Sequence, residues 1–429
     1  MNFYSYDFDG SEVFARKLDE EDERSFVNKF YKIPDIIYMD GNSLGLMPKD
    51  GEYALMSAVG DYKKLGIDGW MGAKSPWFYY PESLGERMAE LVGGLYDEVV
   101  VTGSTTVNIH NMLATFYKPS GKRVKLLMDE LNFPSDIYAA QGHMRLHGLS
   151  NEHLILVKSR DGSTLSEDDI IDAFTDEIKV ALLPAVLYRS GQLLDIERLT
   201  KKAHEKGILI GFDCCHSVGS VPHKLHEWDV DFATWCCYKY LNGGPGAPAG
   251  LYVNRRHHGT APGLPGWFSS SKEKQFDMAL DLEPAKSAGA WQIGTPGIFS
   301  MAPLDGSLKV FEGFGMDNVR KKSLHMTAYM MYLIDLMPAG EYGFTIATPR
   351  EPARRGGHVA LAHKEEALRI NACLKKRGVV PDFRYPDIIR FAPVALYTTY
   401  HEIWQTVRII KEIMDSKEFL DCYMESVIK

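Results

Sequence analysis

The feature that most constrains the fold is a regular alternation of short apolar segments with helical patterns between about residues 95 and 255. The apolar segments are nearly unbroken, which is typical of strands that are buried on both faces. One helical pattern has Ile109, Met112, Leu113 and Phe116 at i, i+3, i+4 and i+7, and another covers Ile196–Lys206. The strands are predicted at Glu98–Val101, Val124–Met128, Leu154–Val157, Lys179–Val186, Ile208–Asp213, Phe232–Cys237 and Leu251–Val253.

Apolar strands joined by helical crossovers predict an α/β fold, with a mainly parallel sheet between two layers of helices. The C-terminal third changes rhythm and predicts a smaller α/β domain. Its helical patterns cover Asp305–Leu336, a segment ending at Leu374, and about Tyr400 to Met414, and its strand patterns cover His358–Ala362 and Ile388–Phe391. Pro and Gly cluster near 296–306, so we expect an N-terminal segment at 1–50 that packs on the core, a large domain at 51–300 and a small domain at 301–429.

Composition and charge argue against several classes of protein. The 48 basic and 57 acidic residues give a net charge of −9, which disfavours a general nucleic-acid-binding protein. The chain starts without the basic and apolar regions of a signal peptide, and no apolar run approaches the roughly 18–20 residues of a membrane span. The six cysteines show no Cys-x-x-Cys spacing, so we expect reduced thiols, a cytoplasmic protein and no metal site.

Polar residues follow several predicted strands, at the edge where open parallel sheets bind ligands. Gly103-Ser-Thr-Thr106 lies between a strand and a helix, so its N–H donors suit a phosphate, although Ser and Thr are also ordinary helix caps. Asp213 ends an apolar strand, and His216 follows three residues later. A carboxylate there needs a cation, for example a protonated pyridine nitrogen, unless it only caps the next segment.

Two basic residues complete the set. Lys239 follows the strand that ends at Cys237, and a lysine at a buried strand end can have a depressed pKa and form a Schiff base, although surface lysines are commoner. Arg390 lies in an apolar strand of the second domain, where it either clamps a substrate carboxylate or forms an internal salt bridge. A helix start that suits phosphate, with an aspartate and a lysine at two strand ends, indicates pyridoxal 5′-phosphate (PLP) chemistry.

Several motifs between roughly residues 35 and 415 resemble those of the kynureninases. They are Tyr38-Met-Asp-Gly-Asn-Ser-Leu-Gly-Leu-Met-Pro-Lys49, Phe133-Pro-Ser-Asp136, Asp213-x-x-His216, Tyr238-Lys-Tyr-Leu-Asn-Gly-Gly-Pro-Gly246, Thr348-Pro-Arg-Glu-Pro-Ala-Arg-Arg-Gly356 and Pro386-Asp-Ile-Ile-Arg390. The resemblance implies the aspartate-aminotransferase fold (PLP fold type I, close to class V) with a seven-stranded type of sheet. It also implies a homodimer with its active site near the subunit interface.

The resemblance assigns a role to each matching residue. Lys239 would bind the PLP aldehyde, Asp213 would pair with the pyridine nitrogen, and Tyr238 would move a proton. Phe133 would stack on the ring, and Arg390 would bind the substrate carboxylate. The implied cofactor contacts are Thr105, Thr106, Phe133, Asp136, Asp213, His216, Tyr238, Lys239, Trp267 and Thr295. The implied substrate contacts are Asn42, Ser43, Trp70 and Arg390.

The activity that the resemblance implies is hydrolysis of the Cβ–Cγ bond of L-kynurenine to anthranilate and L-alanine, a step of tryptophan breakdown and of NAD synthesis. Two departures leave the aryl group of the substrate open. Many kynureninases read Gly-Trp-Phe-Gly-His where this chain has Gly266-Trp-Phe-Ser-Ser270, and Trp70 aligns with a substrate-side His of animal members. A ring-substituted kynurenine, such as 3-hydroxykynurenine, is therefore an alternative substrate.

Two further alternatives share the cofactor. A cysteine desulfurase or related class-V transferase has the same fold and lysine, but such enzymes commonly stack a His where this chain has Phe133, and they carry a nucleophilic Cys on a mobile loop. A non-catalytic PLP-binding protein has no need for a carboxylate clamp. The presence of Lys239, Asp213 and Arg390 together therefore argues against it.

Overall fold

The computed structural model describes residues 6–22 and 25–422. The α-helices in this part of the chain are α1 (Glu12–Glu20), α2 (Lys49–Leu65), α3 (Gly69–Gly72), α4 (Tyr80–Val92), α5 (Thr105–Phe116), α6 (Pro134–Leu146), α7 (Glu167–Asp172), α8 (Ile196–Glu205), α9 (Ile298–Phe314), α10 (Met316–Asp335), α11 (Ala367–Lys376) and α12 (Tyr400–Ser416). The strands are β1 (Ile37–Tyr38), β2 (Val99–Thr102), β3 (Lys125–Asp129), β4 (Leu154–Val157), β5 (Ile178–Pro184), β6 (Leu209–Asp213), β7 (Phe232–Cys236), β8 (Ala249–Val253), β9 (Phe344–Ile346), β10 (Val359–His363), β11 (Val379–Val380), β12 (Asp382–Arg384) and β13 (Ile388–Phe391).

The large domain is built on a seven-stranded sheet of order β2-β8-β7-β6-β5-β3-β4. Strand β8 is antiparallel to both of its neighbours, and the other pairs are parallel. The predicted α/β class and mainly parallel sheet are therefore confirmed. The predicted strands all occur, and their ends differ from the observed ends by at most two residues.

Helices cover both faces of this sheet, as the continuous apolar strands predicted. Alternate residues of β5 enter different cores: Ala181 and Leu183 join the core beneath α4, α8 and α9, whereas Val180 and Leu182 join the core beneath α5 and α6. A strand with both faces buried needs apolar side chains at every position. Only its ends remain available for polar groups.

The small domain has a four-stranded antiparallel sheet of order β12-β13-β10-β9, which packs with α10, α11 and α12 around its own core. The helical pattern predicted at Asp305–Leu336 is confirmed, but it covers parts of two helices that meet at Gly315. Gly315, with a φ of +84°, ends α9 and precedes α10. Glycine adopts such a backbone conformation at little cost, so it separates two helices whose apolar patterns are otherwise continuous.

The N-terminal segment packs with both domains. Phe30 and Leu46 belong to the core of the large domain, and Ala15 and Met39 belong to that of the small domain. Helix α9 packs against α2 and contains Pro303 in its interior, so Pro303 does not mark a break in the chain. The proposed boundaries at residues 50 and 300 stay predictions.

The cysteines are buried free thiols in the described residues, as expected from their spacing. Cys373 and Cys422, which are far apart in the sequence, lie beside Glu418, and the potential ligand atoms of the three are within 4.8 Å of one another. The sequence showed no such proximity, and the expected absence of a metal stays a prediction. Among residues 6–22 and 25–422, no helix is both long and apolar enough to span a bilayer.

Candidate active site

A pocket of about 190 Å³ lies at the carboxyl ends of the central strands of the large sheet. Its walls come from the turns that follow β2, β3, β5, β6 and β7, which all reach the same sheet edge because these strands are parallel. The predicted residues that line it are Ser43, Thr105, Thr106, Phe133, Asp136, Asp213, His216, Tyr238 and Lys239. The fold therefore brings together residues that are almost 200 positions apart.

Asp213 is the last residue of β6 and is 8 % exposed. Its Oδ1 accepts a hydrogen bond from the backbone N–H of Cys215 at 2.7 Å. Asp136, which is 1 % exposed, lies beside it, and burial together with the charge of Asp213 and their hydrogen bond raises the pKa of Asp136 well above its usual range. Two buried carboxyl groups in contact share one proton, so Asp136 is the protonated partner and Asp213 is the carboxylate.

Lys239 is half-buried, three residues after β7 ends, with its Nζ 2.9 Å from Nε2 of His216. Burial acts to lower the pKa of Lys239, but electrostatic interactions with Cys236, Cys215 and Asp213 outweigh it and raise the pKa above its usual value. The depressed pKa suggested by the sequence is therefore wrong for the protein's own groups. Asp213, the carboxylate that would pair with a pyridinium, therefore also raises the pKa of Lys239.

The His216 imidazole is neutral. Burial, followed by the charge of Lys239, lowers its pKa well below the usual value. A neutral ring accepts a hydrogen bond at one nitrogen and donates at the other. Nε2 therefore accepts from the Lys239 ammonium, which leaves Nδ1 as a donor that is buried without a partner in the described residues.

The start of α5 forms the part of the pocket that suits a phosphate. Ser104 caps the helix by accepting the backbone N–H of Val107, and Thr105 and Thr106 are its first two residues. Their backbone N–H groups lie in the first turn, which has no intrahelical acceptors. The hydroxyl of Thr106 lies 2.6 Å from that of Ser135 at the start of α6, so two helix starts meet at one point.

Phe133 precedes α6, and its ring is 39 % exposed. The ring meets Tyr188 edge-on, with centroids 5.3 Å apart and an angle of 89° between the planes. The Phe133 ring also lines the pocket, which is where a ligand that stacks on it would lie.

These residues fit PLP. Hydroxyls and helix starts suit its phosphate, Asp213 suits a protonated pyridine nitrogen, and Lys239 suits its aldehyde. Buried polar atoms around the pocket lack partners within the described residues, namely His216 Nδ1, Asp136 Oδ2 and Asn132 Nδ2. Because buried polar groups are rarely left unpaired, this donor and acceptor set indicates a polar ligand.

Arg390 lies in β13 behind the pocket wall and is fully buried. Its Nε donates to Asp382 at 2.6 Å, its Nη1 donates to the Tyr188 carbonyl at 2.7 Å, and its Nη2 donates to Ser43 Oγ at 3.2 Å. The internal salt bridge that the sequence left open is thus present. Ser43, which also lines the pocket, connects this guanidinium to the cofactor side.

Besides Arg390, four predicted contacts lie outside the lining of the pocket. Trp70 and Trp267 belong to an aromatic cluster around Phe268, at centroid distances of 6.3 and 5.5 Å. Thr295 borders a separate cavity of about 240 Å³. Asn42 is fully buried, and both polar atoms of its side chain lack partners in the described residues. Their roles stay predictions.

Ser269 uses its hydroxyl within its own loop. The Oγ donates to the carbonyl of Gln292 at 2.6 Å and accepts the N–H of Gly266 at 3.0 Å, and the side chain is buried. A hydroxyl that already donates one hydrogen bond and accepts another has no proton left to donate to a substrate. This serine stabilises the loop that differs from the common kynureninase motif.

Several lining residues were not among the predicted ones, namely Asn132, Ser135, Pro184, Val186, Tyr188, Cys215 and Arg384. Asn132, Ser135 and Cys215 could have been found, because they lie inside or beside motifs already singled out. Tyr188 and Arg384 had no comparable signal. They reach the pocket through the packing of the loop after β5 and of β12.

The chain is similar in sequence to proteins of one known family. Residues 319–410 match the family model of the kynureninase C-terminal domain. The kynureninase of Geobacillus thermodenitrificans (strain NG80-2) is 56 % identical over 408 residues, which cover 95 % of each chain. The kynureninase of Bacillus anthracis is 56 % identical over 418 residues, which cover 97 % of each chain.

Solved structures share the fold at low identity. A cysteine desulfurase from Thermococcus onnurineus NA1 superposes with a TM-score of 0.77 at 18 % identity, covering 91 % of this chain and 98 % of that one. A mutant of C-DES, with glycine covalently linked to the PLP cofactor, superposes with a TM-score of 0.77 at 16 % identity, covering 89 % of this chain and 98 % of that one. With more than half of its residues identical to those of kynureninases over nearly the whole length, the chain belongs to the kynureninase family.

Proposed function

We propose that this protein hydrolyses the Cβ–Cγ bond of L-kynurenine to anthranilate and L-alanine, with PLP bound at Lys239. The observation that carries the proposal is the meeting of Lys239, Asp213 and the start of α5 in one pocket, within a chain 56 % identical to kynureninases. Membership of this family makes the chain a PLP-dependent hydrolase of carbon–carbon bonds in ketonic substrates. A cysteine desulfurase activity is disfavoured, because Cys373 and Cys422 are buried away from the pocket lining. Cys215 does line the pocket, but burial raises the pKa of its thiol well above the usual value, which makes it a poor nucleophile.

PLP, when bound, withdraws electrons from the substrate Cα and so allows bonds around it to break. Asp213 contributes by presenting a carboxylate in a nearly dry site, where it favours a protonated pyridine nitrogen. Asp136 supports this role because it donates a hydrogen bond to Asp213 without adding a second charge.

Lys239 is the group that moves the Cα proton. Its amine is 2.9 Å from His216, so a proton that the lysine carries has an acceptor within reach. Tyr238 follows β7 immediately before Lys239, and burial raises the pKa of its phenol above the usual value. A phenol that stays protonated at neutral pH is suited to donate a hydrogen bond to the phosphate and to pass a proton along it.

A homodimer would complete the site. Trp70 and Trp267 lie in an aromatic cluster with Phe276, which is 65 % exposed, and Thr295 borders a separate cavity. Exposed aromatic clusters of this kind are typical of subunit interfaces. A second copy that covers this surface would supply Trp70, Trp267 and Thr295 to the partner's pocket.

The buried free thiols favour a cytoplasmic location. The proposed reaction would then serve tryptophan breakdown and NAD supply in that compartment.

The test of the reaction is anthranilate fluorescence after L-kynurenine is added to PLP-loaded protein, with 3-hydroxykynurenine followed in parallel by absorbance. We expect rapid anthranilate release and none from Lys239→Ala, which retains the rest of the pocket. A cofactor absorbance change without anthranilate would contradict the L-kynurenine assignment. Faster turnover of 3-hydroxykynurenine would favour the ring-substituted substrate, for which Ser269 offers no free hydroxyl.

The test of the shared site is a mixture of two inactive variants, Lys239→Ala and Trp267→Ala. If each pocket takes its lysine from one subunit and its tryptophan from the other, random exchange restores roughly a quarter of the wild-type sites. No recovery after verified subunit exchange would contradict the shared site while leaving the reaction intact.

A further inference from the structure

Two guanidinium groups, not one, converge behind the pocket. Asp382 lies in β12 directly opposite Arg390 of β13, and Arg384 lies two residues further along β12. Residues two apart in a strand share a face of the sheet. The three side chains therefore meet on the face that is turned toward Ser43.

One carboxylate oxygen holds both arginines. Oδ2 of Asp382 accepts from Nε of Arg384 at 2.8 Å and from Nε of Arg390 at 2.6 Å, and Nη2 of Arg390 donates to it as well. Ser43 Oγ contacts Nη2 of Arg390 at 3.2 Å and Nη2 of Arg384 at 3.4 Å. Shared acceptors of this kind fix the two cationic groups side by side.

The two arginines differ in what they can still bind. A guanidinium has five N–H donors, and contacts with Asp382, Ser43 and the Tyr188 carbonyl engage four of those of Arg390, which is fully buried. Arg384 has a side chain that is 30 % exposed and lines the cofactor pocket. In the described part of the chain, no partner is found for its Nη1, so Arg384 is the guanidinium with N–H donors open toward the pocket.

Two acids lie near this pair of guanidiniums, so an anion would be held by the open N–H donors of Arg384 rather than by a net positive charge. Asp382 neutralises one of the two guanidiniums, and Asp40 is the second nearby acid. Burial, then the charge of Asp382, raises the pKa of Asp40 to about 6. Both arginines also contribute to the lowered pKa of His216 in the pocket, which indicates that their positive charge extends to the substrate side.

We propose that Arg384 is a second ligand of the substrate α-carboxylate, which it binds directly beside Arg390, while Asp382 and Ser43 position both guanidiniums. The proposal rests on the proposed function, because it assigns the carboxylate of the amino-acid substrate to this face of the pocket. A carboxylate can bind one oxygen to the open donors of Arg384 and the other to the one N–H of Arg390 that its contacts leave free. Arg384 is then a binding residue of the site, and Asp382 is a positioning residue.

The experiment compares the PLP-loaded wild type with Arg384→Gln and Arg384→Lys. L-Alanine binding is measured by calorimetry and cofactor absorbance, with ethylamine, which lacks the carboxylate, as the matched ligand. We expect Arg384→Gln to weaken L-alanine roughly tenfold to 100-fold, the range for losing a hydrogen bond between charged groups, with ethylamine unchanged. Arg384→Lys should recover part of the loss. Arg369→Gln, which removes an arginine from α11 outside the pocket lining, should behave as wild type.

A double variant separates binding from charge balance. If Arg384 only neutralises Asp382, then Asp382→Asn combined with Arg384→Gln should restore L-alanine affinity, and that result would overturn the proposal. Unchanged L-alanine affinity in Arg384→Gln would overturn it too. Because L-alanine binding requires no turnover, a wild type that binds L-alanine but does not cleave L-kynurenine would reject the proposed reaction without rejecting Arg384.

Discussion

The carboxyl groups of Asp136 and Asp213 share one proton, and the position of that proton can be tested by mutation. Both carboxyl groups are nearly inaccessible, at 1 % and 8 % exposure, and the pKa of Asp136 is raised by burial and by the charge of Asp213. We therefore assign the proton between the two groups to Asp136, which then donates a hydrogen bond to Asp213. Replacing each by asparagine should have very different effects.

The expected magnitudes follow from that assignment. Asp136→Asn keeps a neutral donor of nearly the same shape, so kcat/KM should fall by less than about threefold, which is below 1.36 kcal/mol, the equivalent of a tenfold change. Asp136→Ala removes the donor and leaves Asp213 short of a partner, at a cost of about 1–3 kcal/mol, or roughly 5- to 150-fold. Asp213→Asn removes the charge opposite the pyridine nitrogen and should cost roughly 100-fold or more in kcat.

The assay is anthranilate fluorescence with L-kynurenine at pH 7, together with a PLP titration followed by absorbance. The two asparagine variants are matched, because each exchanges one carboxyl oxygen for an amide nitrogen. If Asp136→Asn loses as much activity as Asp213→Asn, Asp136 is ionised and the proton assignment is wrong. If neither variant loses tenfold, the electronic role of Asp213 is wrong.

Three further predictions address binding and stability. Arg390→Lys should raise KM for L-kynurenine about tenfold and change kcat by less than about threefold, because lysine keeps the positive charge beside Asp382 but loses the bidentate guanidinium. An unchanged KM would mean that Arg390 forms only a structural salt bridge. Burial lowers the pKa of His223 to about 4, so the unfolded state alone binds a proton as pH falls from about 6.5 toward 4, and stability decreases over that window. His223→Gln should make the free energy of unfolding, measured in urea, fall less steeply there by up to about 1.4 kcal/mol per pH unit, and an unchanged slope would contradict the buried neutral imidazole. Asp231→Asn should destabilise the fold by about 3 kcal/mol in urea at pH 7, because the carboxylate accepts from the N–H of Ile210 at 2.7 Å and pairs with Arg256 at 2.6 Å, and a loss below 1 kcal/mol would mean that the network contributes little.

Much of the large domain was predictable because its strands are specified by patterns over a few neighbouring residues. A strand with both faces buried requires an unbroken apolar run, and the runs that end at Asp213 and near Cys236 occur where β6 and β7 occur. Parallel strands place their carboxyl ends at one sheet edge, so the convergence of Asp213, Lys239 and Thr105 followed from the topology. Helix α10 was missed as a separate element, because its separation from α9 depends on the backbone of one residue, Gly315.

The electrostatics of the site were not predictable in the same way. Burial alone suggested a depressed pKa for Lys239, but the pKa is raised because Asp213 and two thiols lie close to it in space. A pKa depends on the distances to all neighbouring charges, and those distances are set by packing.

The sequence by itself determined which segments become strands, where they end, and the family to which the motifs point, because periodicity and turn residues act over a few positions. Only the tertiary structure decided that Arg384 faces the pocket beside a buried Arg390, that one oxygen of Asp382 holds both, and that Trp70 and Trp267 lie apart from Lys239. The physical reason is that hydrogen bonds and charge interactions act over a few ångströms. Which distant residues come that close is decided only when the two domains pack.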